Sequence, residues 1–352
     1  MAYTTINKHT DYFNTKLWAG NGSSQALTGV GHQTDMVWIK SRTDTRKHNL
    51  YDAIRGVQKR IVPNDSVVED TVPGVTAFGT DGFTVGSETD TNGGSRNFVG
   101  WSWKAGTTGS GTTTGSGTGK AYSYSVNTTA GFSIIKFQGN GTAGHTIPHH
   151  LGVAPDLVIL KRLDNANNWY VWGSAATGIA ANQQIELNNT TAAYNPGGNY
   201  HNDTRPSSTV ITLGDDAGSN GNNNDIVIYA FASKTGYSKI GSYDGNGVVD
   251  GTFIYTGFKP AWVMVKNTAA AEQWRIYDST REPSNHMFKC LFPNATNAEN
   301  TTDNGSEEID FVSNGIKIRS SAAQLNGSGN NLIYMAFGQS IVGSNNIPAT
   351  AR

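Results

Sequence analysis

Three times in this chain an apolar run ends in Gly-Asn-Gly, and about twenty residues later a second apolar run closes on a lysine. The first copy has Leu17-Trp18, Gly20-Asn21-Gly22 and Asp35-Met36-Val37-Trp38-Ile39-Lys40. The second has Phe132 to Phe137, Gly139-Asn140-Gly141 and Asp156-Leu157-Val158-Ile159-Leu160-Lys161, and the third has Tyr237 to Tyr243, Gly245-Asn246-Gly247 and Ala261-Trp262-Val263-Met264-Val265-Lys266. From the first glycine to the lysine the offsets are 20, 22 and 21 residues (Gly20 to Lys40, Gly139 to Lys161, Gly245 to Lys266). A phrase kept in register over a long period is the mark of tandem architecture.

The runs are short, rich in Val, Ile, Tyr, Phe and Trp, and separated by Gly/Asn turns, which is strand and turn chemistry. The expected fold is all-β: three tandem antiparallel β-sandwich domains of jelly-roll or lectin-like type, related by internal repeat. The expected boundaries are an N-terminal docking arm at 1–14, repeat 1 at 15–105, a linker at 106–120, repeat 2 at 121–235, repeat 3 at 236–340 and a C-terminal tail at 341–352. Each repeat closes on an aromatic strand, with Lys40 to Trp101, Lys161 to Tyr229 and Lys266 to Tyr334 spaced 61, 68 and 68 apart, so each is expected to be a complete, separately cored unit. The Gly/Thr/Ser composition of 106–120 predicts a flexible connection that lets repeat 1 move. Asn49 to Arg55 is the best short-helix or turn candidate, and the polar insert from Asn188 to Ser208 reads as loop.

With 352 residues the chain suits two or three domains, and 26 basic against 27 acidic residues advertise neither nucleic acid nor an anionic membrane as partner. No apolar run approaches a membrane span, and the opening Met1-Ala2-Tyr3-Thr4-Thr5-Ile6 has no basic region before an apolar one, so neither membrane insertion nor secretion is expected. The one cysteine, Cys290, excludes an internal disulfide and reads as a small core group. The Asn-x-Ser/Thr triplets read as by-products of an Asn/Thr/Gly-rich loop style.

Tyr51-Asp52-x-x-Arg55 recurs as Tyr277-Asp278-x-x-Arg281, and the second repeat has Trp172-Gly173-Ser174 there. An acid beside an arginine stays ionised, but duplication inside one chain favours structural salt bridges, Asp52 with Arg55 and Asp278 with Arg281, over a unique catalytic acid. His145, His149 and His150 have no matching ligand pair elsewhere and read as solvated loop residues, so no metal is assigned. The Asp/Asn/Gly stretches at Asp90, Asp215-Asp216 and Asp244 lack the closing Glu of a calcium loop and read as turns. Trp169, Tyr170, Trp172 and Trp274 beside Asn-rich loops are the candidate glycan-binding residues, flat rings for stacking and amides for hydroxyls, although strand alternation sends at least one side inward. No nucleophile elbow, zinc motif or phosphate loop occurs, and no cofactor is expected. A glycan-cleaving enzyme would need two carboxylates facing one groove; the duplicated Asp is paired with Arg, and Glu307-Glu308 lie in a polar stretch.

The opening residues with Tyr12-Phe13-Asn14-Thr15-Lys16-Leu17-Trp18, the run from Val30 to Lys40, Val99-Gly100-Trp101-Ser102-Trp103-Lys104-Ala105, Gly236 to Tyr243 and Tyr255-Thr256-Gly257-Phe258-Lys259-Pro260 resemble virion proteins of marine tailed phages, such as cyanophages, that are labelled tail fibre or structural protein. The likeness spans nearly the whole chain and carries no assigned functional residues. It implies a non-enzymatic virion component of the tail or tail fibre that contacts other virion proteins and attaches to host-surface polysaccharide, with the oligomeric state left open, a homo-oligomer among the options. The alternative is a capsid decoration or head-fibre protein with a purely structural role, its three domains mimicking a trimer over a threefold position.

Overall fold

The computed structural model describes residues 4–340; the expected C-terminal tail lies outside the described residues. Three stretches of chain, called here blocks 1, 2 and 3, follow one another. Block 1 holds β1 (Phe13–Ala19), β2 (Gln25–Thr28), β3 (Met36–Ser41), β4 (Asn49–Asp52), β5 (Lys59–Arg60), β6 (Asp70–Thr71), β7 (Val75–Gly79), β8 (Gly82–Val85) and β9 (Asn97–Trp103). Block 2 holds β10 (Thr107–Thr112), β11 (Thr114–Gly115), β12 (Ala121–Asn127), β13 (Phe132–Gln138), β14 (His145–Pro148), β15 (Leu157–Arg162), β16 (Trp169–Gly173), β17 (Ile185–Glu186), β18 (Val210–Leu213) and β19 (Asp225–Phe231). Block 3 holds β20 (Ser238–Asp244), β21 (Phe253–Tyr255), β22 (Phe258–Asn267), β23 (Arg275–Asp278), β24 (Ile309–Val312), β25 (Gly315–Ile318) and β26 (Asn331–Ser340).

The protein is all-β, and its sheets are antiparallel. The larger sheets run β1-β9-β3-β4, β13-β19-β15-β16 within a seven-stranded sheet, and β20-β26-β22-β23; the smaller ones run β2-β8-β7, β11-β14-β18 and β21-β25-β24. In every block the strand before Gly-Asn-Gly pairs with the closing strand, which pairs with the lysine strand. One-turn helices α1 (Thr89–Asn92), α2 (Ala217–Asn220) and α3 (Ala323–Asn326) precede the closing strands.

Successive side chains of a strand point to opposite faces, so a strand apolar throughout must be buried on both. Here one face of each larger sheet covers its block's own core and the other enters a core common to all three. Val37 and Ile39 pack inside block 1, Val158 and Leu160 inside block 2, and Val263 and Val265 inside block 3. The alternate residues Met36, Trp38, Leu157, Ile159, Trp262 and Met264 all belong to the common core. At its centre Trp103, Phe231 and Phe337, which pair with Met36, Leu157 and Trp262 on the lysine strands, form a triangle with ring centroids 5.8 to 6.4 Å apart. Beside it lies an apolar cavity of about 20 Å³ lined from all three blocks. The expectation of separately cored units is thereby corrected in part: each block has a core of its own, and the alternate apolar side chains of its strands share a further core with the other two blocks.

Three more expectations change. The 106–120 segment is β10 and β11, paired with β12 and β14, so it is sheet edge and no free linker. Of the helix-or-turn candidate Asn49 to Arg55, Asn49–Asp52 is strand β4 and 53–55 form a turn. The arm packs, over residues 4–14, against block 3 of its own chain: Ile6 enters the common core, His9 N donates to Gln339 Oε1 at 3.1 Å, and Gln339 Nε2 donates to Asn7 O at 2.8 Å. Phe13 stacks on Phe337 at 5.1 Å.

Candidate functional site

The Gly-Asn-Gly phrase is a clamp. Gly20, Gly139 and Gly245 lie so close to the carbonyls of Gly93, Gly221 and Gly327 that a Cβ would sit 2.2 to 2.4 Å from oxygen, which excludes any other residue. The following Asn meets a buried Asn at the end of the one-turn helix. Asn92, Asn220 and Asn326 accept at Oδ1 from the backbone N–H of Asn21, Asn140 and Asn246 at 3.2, 3.0 and 2.9 Å. Their Nδ2 groups donate to Asn21, Asn140 and Asn246 Oδ1 and to two further carbonyls each: Ser23 and Gly86, Thr142 and Gly214, Val248 and Ser320. The signal for these partners is a second Asn-Gly that recurs 71, 80 and 80 residues after the first Asn.

The repeated lysines occupy equivalent places on β3, β15 and β22, wholly buried. Lys40 Nζ donates to the carbonyls of Ser41, Asp44 and Thr296; Lys161 to Asn167 and Ser66; Lys266 to Asn267, Ala270 and Thr190. One acceptor in each set belongs to another block, in cyclic order: block 1 to 3, 2 to 1, 3 to 2. Burial lowers the Lys40 ammonium to about 7, and Lys161 and Lys266 to about 8, against partial support from nearby acids.

Asp52 and Asp278 lie at the same junctions. Arg55 Nε donates to Asp52 Oδ2 and Arg281 Nε to Asp278 Oδ2, both at 2.5 Å and shielded from solvent. Burial is the largest influence and opposes the charge on each arginine, but the neighbouring groups together outweigh it, Asp52 with Tyr229 and Glu69 at Arg55 and Asp278 with Glu299 at Arg281, and hold the guanidinium above its usual range. Glu69 at 2.9 Å completes the first cluster, and Glu299 at 2.9 Å, shared with Arg42 of block 1, completes the second. Each carboxylate also accepts across the junction: Tyr229 Oη donates to Asp52 at 2.6 Å and Trp101 Nε1 to Asp278 at 3.0 Å. In block 2 the place of these acids, opposite Leu157, is Gly173. In block 3 the place of Trp101 and Tyr229 is Met335, which pairs with Met264 as they pair with Trp38 and Ile159. Acceptor and donor are thus missing together, and the equivalence expected for Tyr334 is corrected by one residue: Tyr334 faces the core of block 3.

The four candidate glycan residues are buried: Trp169, Tyr170, Trp172 and Trp274 are at most 4% exposed. Trp169 Nε1 donates to Val62 O at 3.0 Å in block 1, and Trp274 Nε1 to Glu186 O at 2.8 Å in block 2. Tyr170 packs on Tyr200 and Trp172 on His201 under the polar insert. With no ring face open, stacking on a sugar through these residues is excluded. The histidines expected in solvent are also corrected: His145 is buried between Asn220 Oδ1 and Thr113 Oγ1 at 2.7 and 2.6 Å, His149 is buried beside Ser207 O, and half-buried His150 stacks on Tyr124. Among the described residues no three His, Cys, Asp or Glu side chains are grouped to hold a metal ion. Cys290 is buried in the core of block 3.

Fold and junction together define an all-β protein whose repeated polar residues fasten sheets around a common centre. The chain belongs to the family described as Domain of unknown function (DUF7483), whose model matches residues 8–340. No curated protein and no solved structure matches it.

Proposed function

We propose that the chain is a non-enzymatic structural component of a virion, in which three tandem antiparallel β-sandwich domains close around one axis so that a single polypeptide stands in for a trimer. The carrying observation is the triangle of Trp103, Phe231 and Phe337 with cyclic lysine contacts about it. A chain so arranged presents threefold-like ends, suited to neighbours in an assembly whose own symmetry is threefold. The resemblance to virion proteins of tailed phages supports a place on the tail or tail fibre. The ionisable residues repeated between blocks are spent on fastening, which supports a role in assembly over a role in chemistry. Host attachment, where it occurs, falls to loops and not to the buried aromatic residues.

The same threefold-like ends favour a second reading, a decoration or head-fibre protein seated over a threefold position of a capsid. Gold-labelled antibody fragments on purified particles separate the two: label at the tail supports the first reading, label on the head the second. Particles that carry none of the protein overturn both.

A further inference from the structure

The three blocks act as controls for one another, and one surface departs from the pattern. Directly after Gly-Asn-Gly stand Ser23-Ser24, Thr142-Ala143 and Val248-Val249. On the next strand, the residues flanking the buried Leu27, Ile147 and Ile254 are Ala26 and Thr28 in β2, Thr146 and Pro148 in β14, but Phe253 and Tyr255 in β21. Val248, Val249, Phe253 and Tyr255 are 51%, 62%, 47% and 59% exposed, and they form the described chain's main cluster of exposed large apolar side chains. Natural edges are usually blunted by charged residues, proline, a bulge or a covering segment, and seldom carry large exposed apolar side chains. Block 3 does the reverse.

Among the described residues its backbone is open as well. In block 2 the outer edge of β14 is covered by β11, Thr114 opposite Thr146 and Gly115 opposite His145, so an added strand is what fits this edge. Among the described residues no such segment lies against β21, which ends its sheet. Ile318 N donates to Thr252 O and Thr256 N to Asn314 O, which turns residues 252 and 256 toward β25. By alternation Phe253 and Tyr255 present their N–H and C=O groups to the open side.

We infer that two copies of the chain join through this edge, β21 against β21 of the second copy, antiparallel about a twofold axis at Ile254, with Phe253 of each opposite Tyr255 of the other. The strand is its own complement: both residues with outward backbone groups fall into hydrogen-bonded pairs, and those pairs place aromatic rings side by side on one face. The flanking charges are already paired, Asp250 with Lys317 and Arg319, and 26 basic against 27 acidic residues leave little repulsion between copies. An isologous contact of this kind closes at two. Its few residues make it a weak one.

Sedimentation velocity of the full chain from about 5 to about 500 µM reads the association, a range chosen for a contact below standard interface size. A concentration-dependent dimer is expected. Phe253→Ala/Tyr255→Thr, which installs the residues of block 1, is expected to weaken it at least about tenfold with the melting temperature unchanged. Should that variant lose its fold, Tyr255→Lys, confined to an exposed ring, must weaken the dimer likewise. A monomer at every concentration, a larger oligomer, or a dimer indifferent to the folded variants overturns the inference.

Discussion

Asp278 shows how much one carboxylate can hold. It neutralises a guanidinium shielded from solvent and also accepts from Trp101 of another block. Asp278→Ala leaves Arg281 with Glu299 as its one carboxylate partner and is expected to cost about 3–5 kcal/mol. Trp101→Phe removes the donor and part of a buried ring and is expected to cost less, about 1–3 kcal/mol. Urea titration of both variants checks this, and equal losses would contradict the assignment. Asn326→Ala strips the clamp of block 3 and leaves two carbonyls and one N–H without partners, an expected loss of about 2–3 kcal/mol by the same measurement. The buried lysines set a pH dependence. In the fold they lose their protons at about 7 to about 8, whereas in the unfolded chain they do so near ~10.4, so between those values the unfolded chain binds more protons. Raising pH through that window therefore favours the fold, by up to about 1.4 kcal/mol per pH unit for each lysine neutral in the fold. Above about 10 the trend reverses, because tyrosines such as Tyr229 and Tyr277, raised by burial, ionise only on unfolding. A melting temperature that falls steadily from pH 7 to pH 10 would contradict this account.

At the scale of strands and turns, the Gly-Asn-Gly phrase made the three β blocks legible, because glycine in a close backbone contact cannot be replaced and so marks register in plain text. Composition misled where pairing decides structure. The 106–120 segment has the residues of a flexible connector, yet Thr107–Thr112 pairs along β12; edge pairing uses backbone groups that every residue carries, so no side-chain signal announces it. The helix-or-turn candidate Asn49 to Arg55 is half strand and half turn, because Asn49–Asp52 pairs with β3 through backbone groups and only 53–55 turn away. Alternation around Trp169 sends at least one side inward, and both sides are in fact buried; alternation shows two faces without saying what covers each. Deleting 107–115 is expected to expose the edges of β12 and β14 and to promote aggregation, read as turbidity on warming the variant beside the parent. A deletion variant as soluble as the parent would show that these edges need no cover.

The common core makes the molecule one cooperative body. Because half of each larger sheet's apolar face is buried against the other blocks, a single block on its own exposes Trp, Phe and Met side chains that have no substitute partner. Calorimetry is expected to give one endotherm, with calorimetric and van't Hoff enthalpies in agreement, and residues 236–340 expressed alone are expected to aggregate. Three resolved endotherms would contradict a shared interior. None of this was readable from the repeat, since a period reports that units match and is silent on whether they meet. Linking three alike parts in one chain also frees each seam to change by itself, which identical subunits cannot do. The seam between the second and third parts, where Gly173 and Met335 stand in for a carboxylate and its donor, has lost one of the fastenings the other two keep. A ring that must open to be threaded onto a neighbour would part there first.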